Sequence, residues 1–99
     1  MDRKEIRDIL ESFFQKYRKS EGDDSTYTAF WADRTPAGTV EIAMTRCPAD
    51  TTFKFYLDRK KVDEVKEWDG FFPALDRFAR EHGDAFDPES FFAGMKDMT

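Results

Sequence analysis

Alternation of apolar and polar side chains between residues 25 and 57 constrains the fold of this chain more than any other feature. A period of two is typical of a β-strand with one buried face. Two segments, 39–46 and 52–57, show it cleanly, with apolar side chains at Val40, Ile42 and Met44, then at Phe53, Phe55 and Leu57. The pattern predicts two strands whose apolar sides face one core.

A first strand is predicted over residues 26–32, followed by a turn at 34–38 that contains Pro36 and Gly38. Two registers are open, because a shift of one residue exchanges the faces of a strand. In one, Asp33 lies opposite Gly38 and the odd-numbered residues from Tyr27 to Trp31 face the core. In the other, the even-numbered residues face it. We favour the first, which closes a four-residue loop and buries more aromatic area.

Helical periodicity precedes the predicted sheet. Asp2 and Glu5 have the spacing of a capping box, and Gly22 supplies a stop. Between them, apolar residues recur every three or four positions over 2–19, at Ile6, Ile9, Leu10, Phe13, Phe14 and Tyr17. This spacing predicts an amphipathic helix that covers the sheet.

Helical sequence also follows the predicted strands. A helix over 59–68 is predicted from apolar residues three apart, with Asp58 as its cap and Asp69 and Gly70 as its end. Another begins near Pro73 and ends at Gly83, and a short last helix spans 88–95. The sequence thus predicts a single α+β domain over residues 1–99. Its elements are an N-terminal helix, a three-stranded antiparallel meander and two or three C-terminal helices.

Composition narrows the class of protein. The chain has 99 residues and a formal net charge of −5, with both signs interspersed. This balance argues against a general binder of nucleic acid or of anionic membranes. No apolar run approaches the roughly 20 residues of a membrane span. One cysteine excludes an intrachain disulfide and favours a reducing compartment. We therefore expect an acidic cytoplasmic protein that is not bound to a membrane.

Residue types that carry catalysis or bind metals are sparse. Cys47 and His82 are the only cysteine and histidine, and no local motif supports a thiol dyad between them. Zinc sites usually draw several ligands from these two types. The acidic residues Glu21, Asp23 and Asp24 lack the spacing of a calcium-binding EF-hand loop. We predict a non-enzymatic protein without a metal or another cofactor.

The polar side of the predicted sheet carries the candidate binding residues. In the favoured register it presents Phe30, Glu41, Lys54 and Tyr56. Either the C-terminal helices cover this side as a second core layer, or it binds a partner. We expect a protein–protein interaction or inhibitor module whose aromatic surface binds another protein or a second copy of the chain.

The basic run Arg59, Lys60 and Lys61 suggests an alternative function. Residues 3–68 resemble the double-stranded RNA-binding domain in the predicted order of their elements, which is a helix, three antiparallel strands and a second helix. In that family a lysine-rich run at the start of the second helix contacts phosphates. The resemblance implies that Arg59, Lys60 and Lys61 would do so here, and nucleic-acid binding is the alternative to a protein partner.

Overall fold

The computed structural model describes all 99 residues as one helix, five strands and two further helices. The elements are α1 Arg3–Tyr17, β1 Lys19–Ser20, β2 Tyr27–Thr35, β3 Gly38–Arg46, β4 Thr51–Leu57, β5 Lys60–Lys66, α2 Glu67–Glu81 and α3 Pro88–Asp97. The predicted α+β class is confirmed, with a helix at the N-terminus and helices at the C-terminus. The prediction of three strands is wrong, because the sheet has five.

The five strands form one antiparallel meander whose order in space is the order in the chain. The three predicted strands correspond to β2, β3 and β4, and each is longer than predicted. The two unpredicted strands are the edges. β1 has only two residues, which are too few to show alternation, and β5 lies where a helix is predicted.

The predicted helix over 59–68 is wrong because residues 60–66 turn back and pair with β4. Asp58 and Arg59 have positive φ angles of 51° and 70°, as in a two-residue hairpin turn. Asp58 caps no helix, and its Oδ1 accepts from the Thr39 N–H at 2.9 Å. A β-bulge in the β4–β5 pairing leaves Val62 exposed while Val65 packs on the core. These two valines are three residues apart, as apolar residues on one face of a helix are, although they lie in a strand.

The β2–β3 hairpin has a two-residue loop, and Thr35 lies opposite Gly38. The predicted pairing of Asp33 with Gly38 is wrong by two residues. A shift of two keeps every side chain on its face. Trp31 accordingly packs against the core, as predicted, whereas Phe30 points away from it and is exposed.

All three helices pack on one face of the sheet. The ring of Phe13 on α1 lies 5.8 Å from that of Trp31, and the ring of Phe71 on α2 lies 4.5 Å from that of Phe53. A Cβ at Gly94 of α3 would lie 3.6 Å from Trp31 Cζ2. The C-terminal phenylalanines thus join the same core as α1 and form no second layer on the other face.

Helix α2 starts earlier than predicted, directly after β5. It begins at Glu67, so that Pro73 lies inside it and the predicted break at Asp69 and Gly70 is absent. A Cβ at Gly70 would lie 3.3 Å from Val65 Cβ. This contact would be tight, so the close packing of α2 on β5 explains why residue 70 is a glycine. The sequence alone predicts the end of a helix there.

Asp2 caps helix α1 as predicted, without the return hydrogen bond to the Glu5 side chain that completes a capping box, and an ion pair joins the helix to the sheet. Asp2 Oδ1 accepts from the Glu5 N–H at 2.8 Å. Arg46, at the end of β3, donates to both carboxylate oxygens of Glu11 at 2.7 and 3.0 Å, and its Nε donates to Thr51 Oγ1 at 3.1 Å. The hydrogen bonds from Arg46 lower the pKa of Glu11. This bidentate geometry holds the helix in one position relative to the sheet.

Candidate interaction site on the open sheet face

The face of the sheet opposite the helices is open, and its side chains form three rows across β2 to β5. The rows are Ala32, Glu41, Tyr56 and Lys61; Phe30, Ala43, Lys54 and Glu64; and Thr28, Thr45, Thr52 and Lys66. We call these twelve side chains the open face. They share it because cross-strand partners in an antiparallel sheet point to the same side.

All four residues predicted to bind a partner lie close together on the open face. Phe30 and Lys54 lie on either side of Ala43, and Glu41 lies directly opposite Tyr56. The four line one shallow depression of about 360 Å³. The remaining side chains that line it are Glu21, Thr28, Ala43 and Thr45. The pairing of the strands therefore brings together predicted binding residues from three different strands, β2, β3 and β4.

Phe30 is the most exposed large apolar side chain in the chain, at 57%. Phe53 and Phe55 on β4 point to the opposite face and are fully buried. Phe30 adjoins Ala43 and shares the depression with the ring of Tyr56, so it belongs to an apolar patch. An apolar patch rimmed by polar side chains is typical of an interaction surface.

Several charges at the margin of the open face are paired. Lys61 donates to Glu64 Oε1 at 2.8 Å, and Lys66 donates to Asp50 Oδ2 at 3.1 Å. The first hydrogen bond raises the pKa of Lys61 and lowers that of Glu64, and the second raises the pKa of Lys66 and lowers that of Asp50. The margin of the face next to β5 therefore carries little net charge.

Three charged residues without a salt bridge line the depression: Lys54, Glu41 and Glu21. Beside them, the Thr28 and Thr45 hydroxyls hydrogen-bond to each other at 2.8 Å. The depression thus offers two aromatic rings, one lysine and two acidic residues to a ligand.

The basic run Arg59, Lys60 and Lys61 does not lie at the start of a helix, where the resemblance to the double-stranded RNA-binding domain implies it. Arg59 is the second residue of the β4–β5 turn, and Lys60 and Lys61 begin the edge strand β5. The next helix begins only at Glu67, so no helix N-terminus accompanies these cations. Lys61 lies opposite Tyr56 on the open face, whereas the alternation of the strand directs Lys60 to the other side. The run is therefore divided between the two faces.

The residues considered for catalysis or metal binding lie in separate surroundings. The Cys47 thiol donates to Asp50 Oδ1 at 3.4 Å, and the His82 ring packs 5.1 Å from that of Phe78 at the end of α2. No hydrogen bond joins Cys47 to His82. No three His, Cys, Asp or Glu side chains lie where they could hold a metal ion.

Glu21 lines the depression although it lies outside the predicted strands. Its N–H donates to the Thr26 carbonyl at 2.9 Å, which returns the loop after β1 to the start of β2. Asp23 Oδ1 accepts from the N–H groups of Ser25 and Thr26 at 2.7 and 2.8 Å. An aspartate followed by a serine two residues later is a turn signal in the sequence, and here it marks the turn that brings the chain from β1 back to β2.

Comparison of the chain with protein-family models finds no match. Comparisons with curated proteins and with solved structures find none either. Among the three helices, none combines the length and the apolar character that a membrane span requires.

Proposed function

We propose that the protein is a non-enzymatic interaction module that binds another protein on its open face. One observation carries the proposal: the helices occupy a single side of the sheet, which leaves Phe30 and Tyr56 in contact with water. A partner that covered the depression would remove both rings from water. Burial of apolar surface is the dominant favourable term in most protein association.

The mixture of side chains favours a protein over a small molecule as the ligand. Protein interfaces combine an apolar, often aromatic centre with a polar rim. Phe30 and Tyr56 supply such a centre, while Lys54 and Glu41 are available for charge pairing across the interface. Small-molecule sites are concave and enclose most of their ligand. A shallow depression suits a broad protein surface better.

Single-stranded nucleic acid is the second candidate ligand, because aromatic side chains on an open sheet can stack bases. Phosphate binding, however, depends on unpaired cations. Lys61 and Lys66 each pair with an acidic side chain, and Glu41 shares the depression with Lys54. The charge on this face therefore favours the protein partner.

Site-specific photocrosslinking in the cells that make the protein tests the proposal. A benzophenone amino acid replaces Tyr56 in the depression, and in the matched control it replaces Gln15, which is exposed on α1. We expect a discrete protein adduct from position 56 and no adduct of the same mass from position 15. Adding Phe30→Thr should abolish the adduct, since it removes the exposed ring.

The outcomes separate the candidates. An adduct whose migration changes on nuclease treatment would assign the face to nucleic acid. The absence of an adduct from position 56, or equal adducts from both positions, would contradict the proposal. A far-UV circular dichroism spectrum of Phe30→Thr identical to that of the wild type would show that its loss of crosslinking is not a loss of folding.

A further inference from the structure

The outer edge of β2 is a second surface, which the proposed function does not use. β1 covers it only at Tyr27 and Thr28, where Ser20 and Lys19 lie opposite. From Ala29 to Thr35 this edge has no neighbouring strand, and no loop hydrogen bond reaches its backbone. Alternate residues of such an edge present their N–H and C=O groups to water. The segment is therefore a template for another strand.

The two edges of the sheet differ in how they are protected. Charged residues, especially lysine, and bulges are common means of preventing edge-to-edge pairing. β5 has both, with a bulge and five charged side chains: Lys60, Lys61, Asp63, Glu64 and Lys66. In the free segment of β2, Ala29–Thr35, only Asp33 and Arg34 are charged, and its pairing with β3 has no bulge. The β2 edge is thus open where the β5 edge is blocked.

An apolar hollow of about 250 Å³ adjoins the free edge. Its lining comes from the end of α1, from β1, from the residue after α3 and from both sides of β2. It consists of Phe13, Tyr17, Lys19, Thr28, Ala29, Phe30, Trp31 and Met98. Small-molecule pockets usually measure roughly 300–1,000 Å³. The hollow is smaller than these, and its size and its place beside an unpaired strand suit a single apolar side chain.

We infer that the β2 edge from Ala29 to Thr35 binds an extended peptide of a partner protein, which pairs as an added strand and inserts an apolar side chain into the hollow. In strand addition of this kind, main-chain hydrogen bonds supply affinity and pockets for alternate side chains supply specificity. Side chains next to the inserted one would point to the opposite face, beside Phe30. The hollow and the depression share Phe30 and Thr28, and their other lining residues are separate.

A second copy of the chain fits this edge less well than an apolar peptide. Two copies paired antiparallel about a two-fold axis would overlap over five or more free residues only if centred on Trp31, Ala32 or Asp33. These arrangements place Asp33 opposite Ala29, Trp31 or Asp33 of the other copy. Asp33 points to the same side of the sheet as Trp31. Each arrangement would therefore bring a carboxylate against apolar side chains or against its own charge.

Peptide selection on the immobilised full-length chain tests the inference. The probe is a phage-displayed library of random decapeptides, from which the recovered sequences are synthesised. We expect them to share apolar residues at alternate positions. On binding they should slow hydrogen exchange of the backbone amides in residues 29–35 and leave the amides of β5 unchanged.

Two exposed side chains on opposite edges provide a matched pair of variants. Met98→Glu places a charge at the hollow, and Val62→Glu places one on β5, where the native side chain is exposed to a similar extent, 46% against 42%. We expect Met98→Glu to weaken peptide binding about tenfold or more and Val62→Glu to leave it unchanged. Both side chains lie outside the buried core, so both variants should fold.

Recovery of no peptide, a lack of alternation, protection of β5 instead of β2, or equal effects of the two variants would each overturn the inference. Dimerisation of the wild-type chain in analytical ultracentrifugation, with protection of the same amides, would assign the edge to a second copy and also overturn it. Lys54→Glu alters the depression and leaves the edge intact. It should abolish crosslinking from position 56 and preserve peptide binding, which separates failure of this inference from failure of the proposed function.

Discussion

Substitution of the same residue type on the two faces of the sheet tests most directly which face is open. Phe55 on β4 is fully buried, and its ring lies 5.6 Å from that of Phe78 and 5.7 Å from that of Phe71. Phe30 on β2 is 57% exposed. We predict that Phe55→Ala lowers the free energy of unfolding by about 3–5 kcal/mol. Phe30→Thr should lower it by about 1 kcal/mol at most.

These magnitudes follow from the burial of each ring. Full burial of a phenylalanine side chain contributes about 1.5–3 kcal/mol, and less than half of Phe30 is buried. Threonine offsets part of that loss, because β-branched residues suit a strand. Phe55→Ala instead loses the whole transfer free energy and leaves a cavity between β4 and α2, which raises its effect above the transfer value.

Equilibrium urea unfolding of the wild type and the two variants, followed by far-UV circular dichroism, measures both effects. Equal m-values for the three proteins would show that the midpoints report stability. Tryptophan fluorescence gives a second probe, since Trp31 and Trp68 both pack against the core. A Phe30→Thr loss as large as that of Phe55→Ala would refute the placement of Phe30 on an open face.

Two further substitutions test single contacts. Glu11→Gln should lower the free energy of unfolding by about 1 kcal/mol at neutral pH, because it disrupts the bidentate pair with Arg46. Arg46 lowers the pKa of Glu11 in the folded protein, so the pair stabilises the fold above the pKa of Glu11 in the unfolded chain and stops doing so as the pH falls through its pKa in the folded protein. In acid, urea unfolding should therefore give the same free energy of unfolding for the wild type and for Glu11→Gln. A difference that persists in acid would contradict the pairing. Arg59→Gly should raise the melting temperature, since a left-handed φ of 70° costs a residue with a Cβ about 1 kcal/mol. A lower melting temperature would instead favour a helix over 59–68, which glycine weakens.

Alternation predicts the middle of the sheet because each central strand has one buried face. In β3 and β4 the apolar side chains lie at every second position, and they form the core with few exceptions. In β2 the pairing of Asp33 with Gly38 is wrong, yet the buried set is right. The reason is that alternation determines parity, whereas only the length of the loop determines which residues pair.

The edges of the sheet were beyond prediction for physical reasons. An edge strand packs against fewer neighbours and is more exposed, so charged residues that prevent aggregation interrupt the apolar alternation of its sequence. β5 is mostly charged, and its two valines, Val62 and Val65, are three residues apart in the sequence, which is a helical spacing. The turn before it depends on the positive φ angles of Asp58 and Arg59, and arginine is not a residue that indicates such a turn. Local sequence therefore predicts a helix at residues that form a turn and a strand.

Parity alone places Phe30, Glu41, Lys54 and Tyr56 on one face, but it leaves open whether the C-terminal helices cover that face. The width of the sheet explains the side on which they pack. Strands lie about 4.8 Å apart, so five of them span roughly 19 Å, and one helix with its side chains is about 10 Å across. Helix α1 covers the β2 side through Phe13, and the apolar side of β4 requires a second helix, which α2 supplies. Helix α3 also packs on this face, beside Trp31. No helix therefore remains for the other face, which stays open.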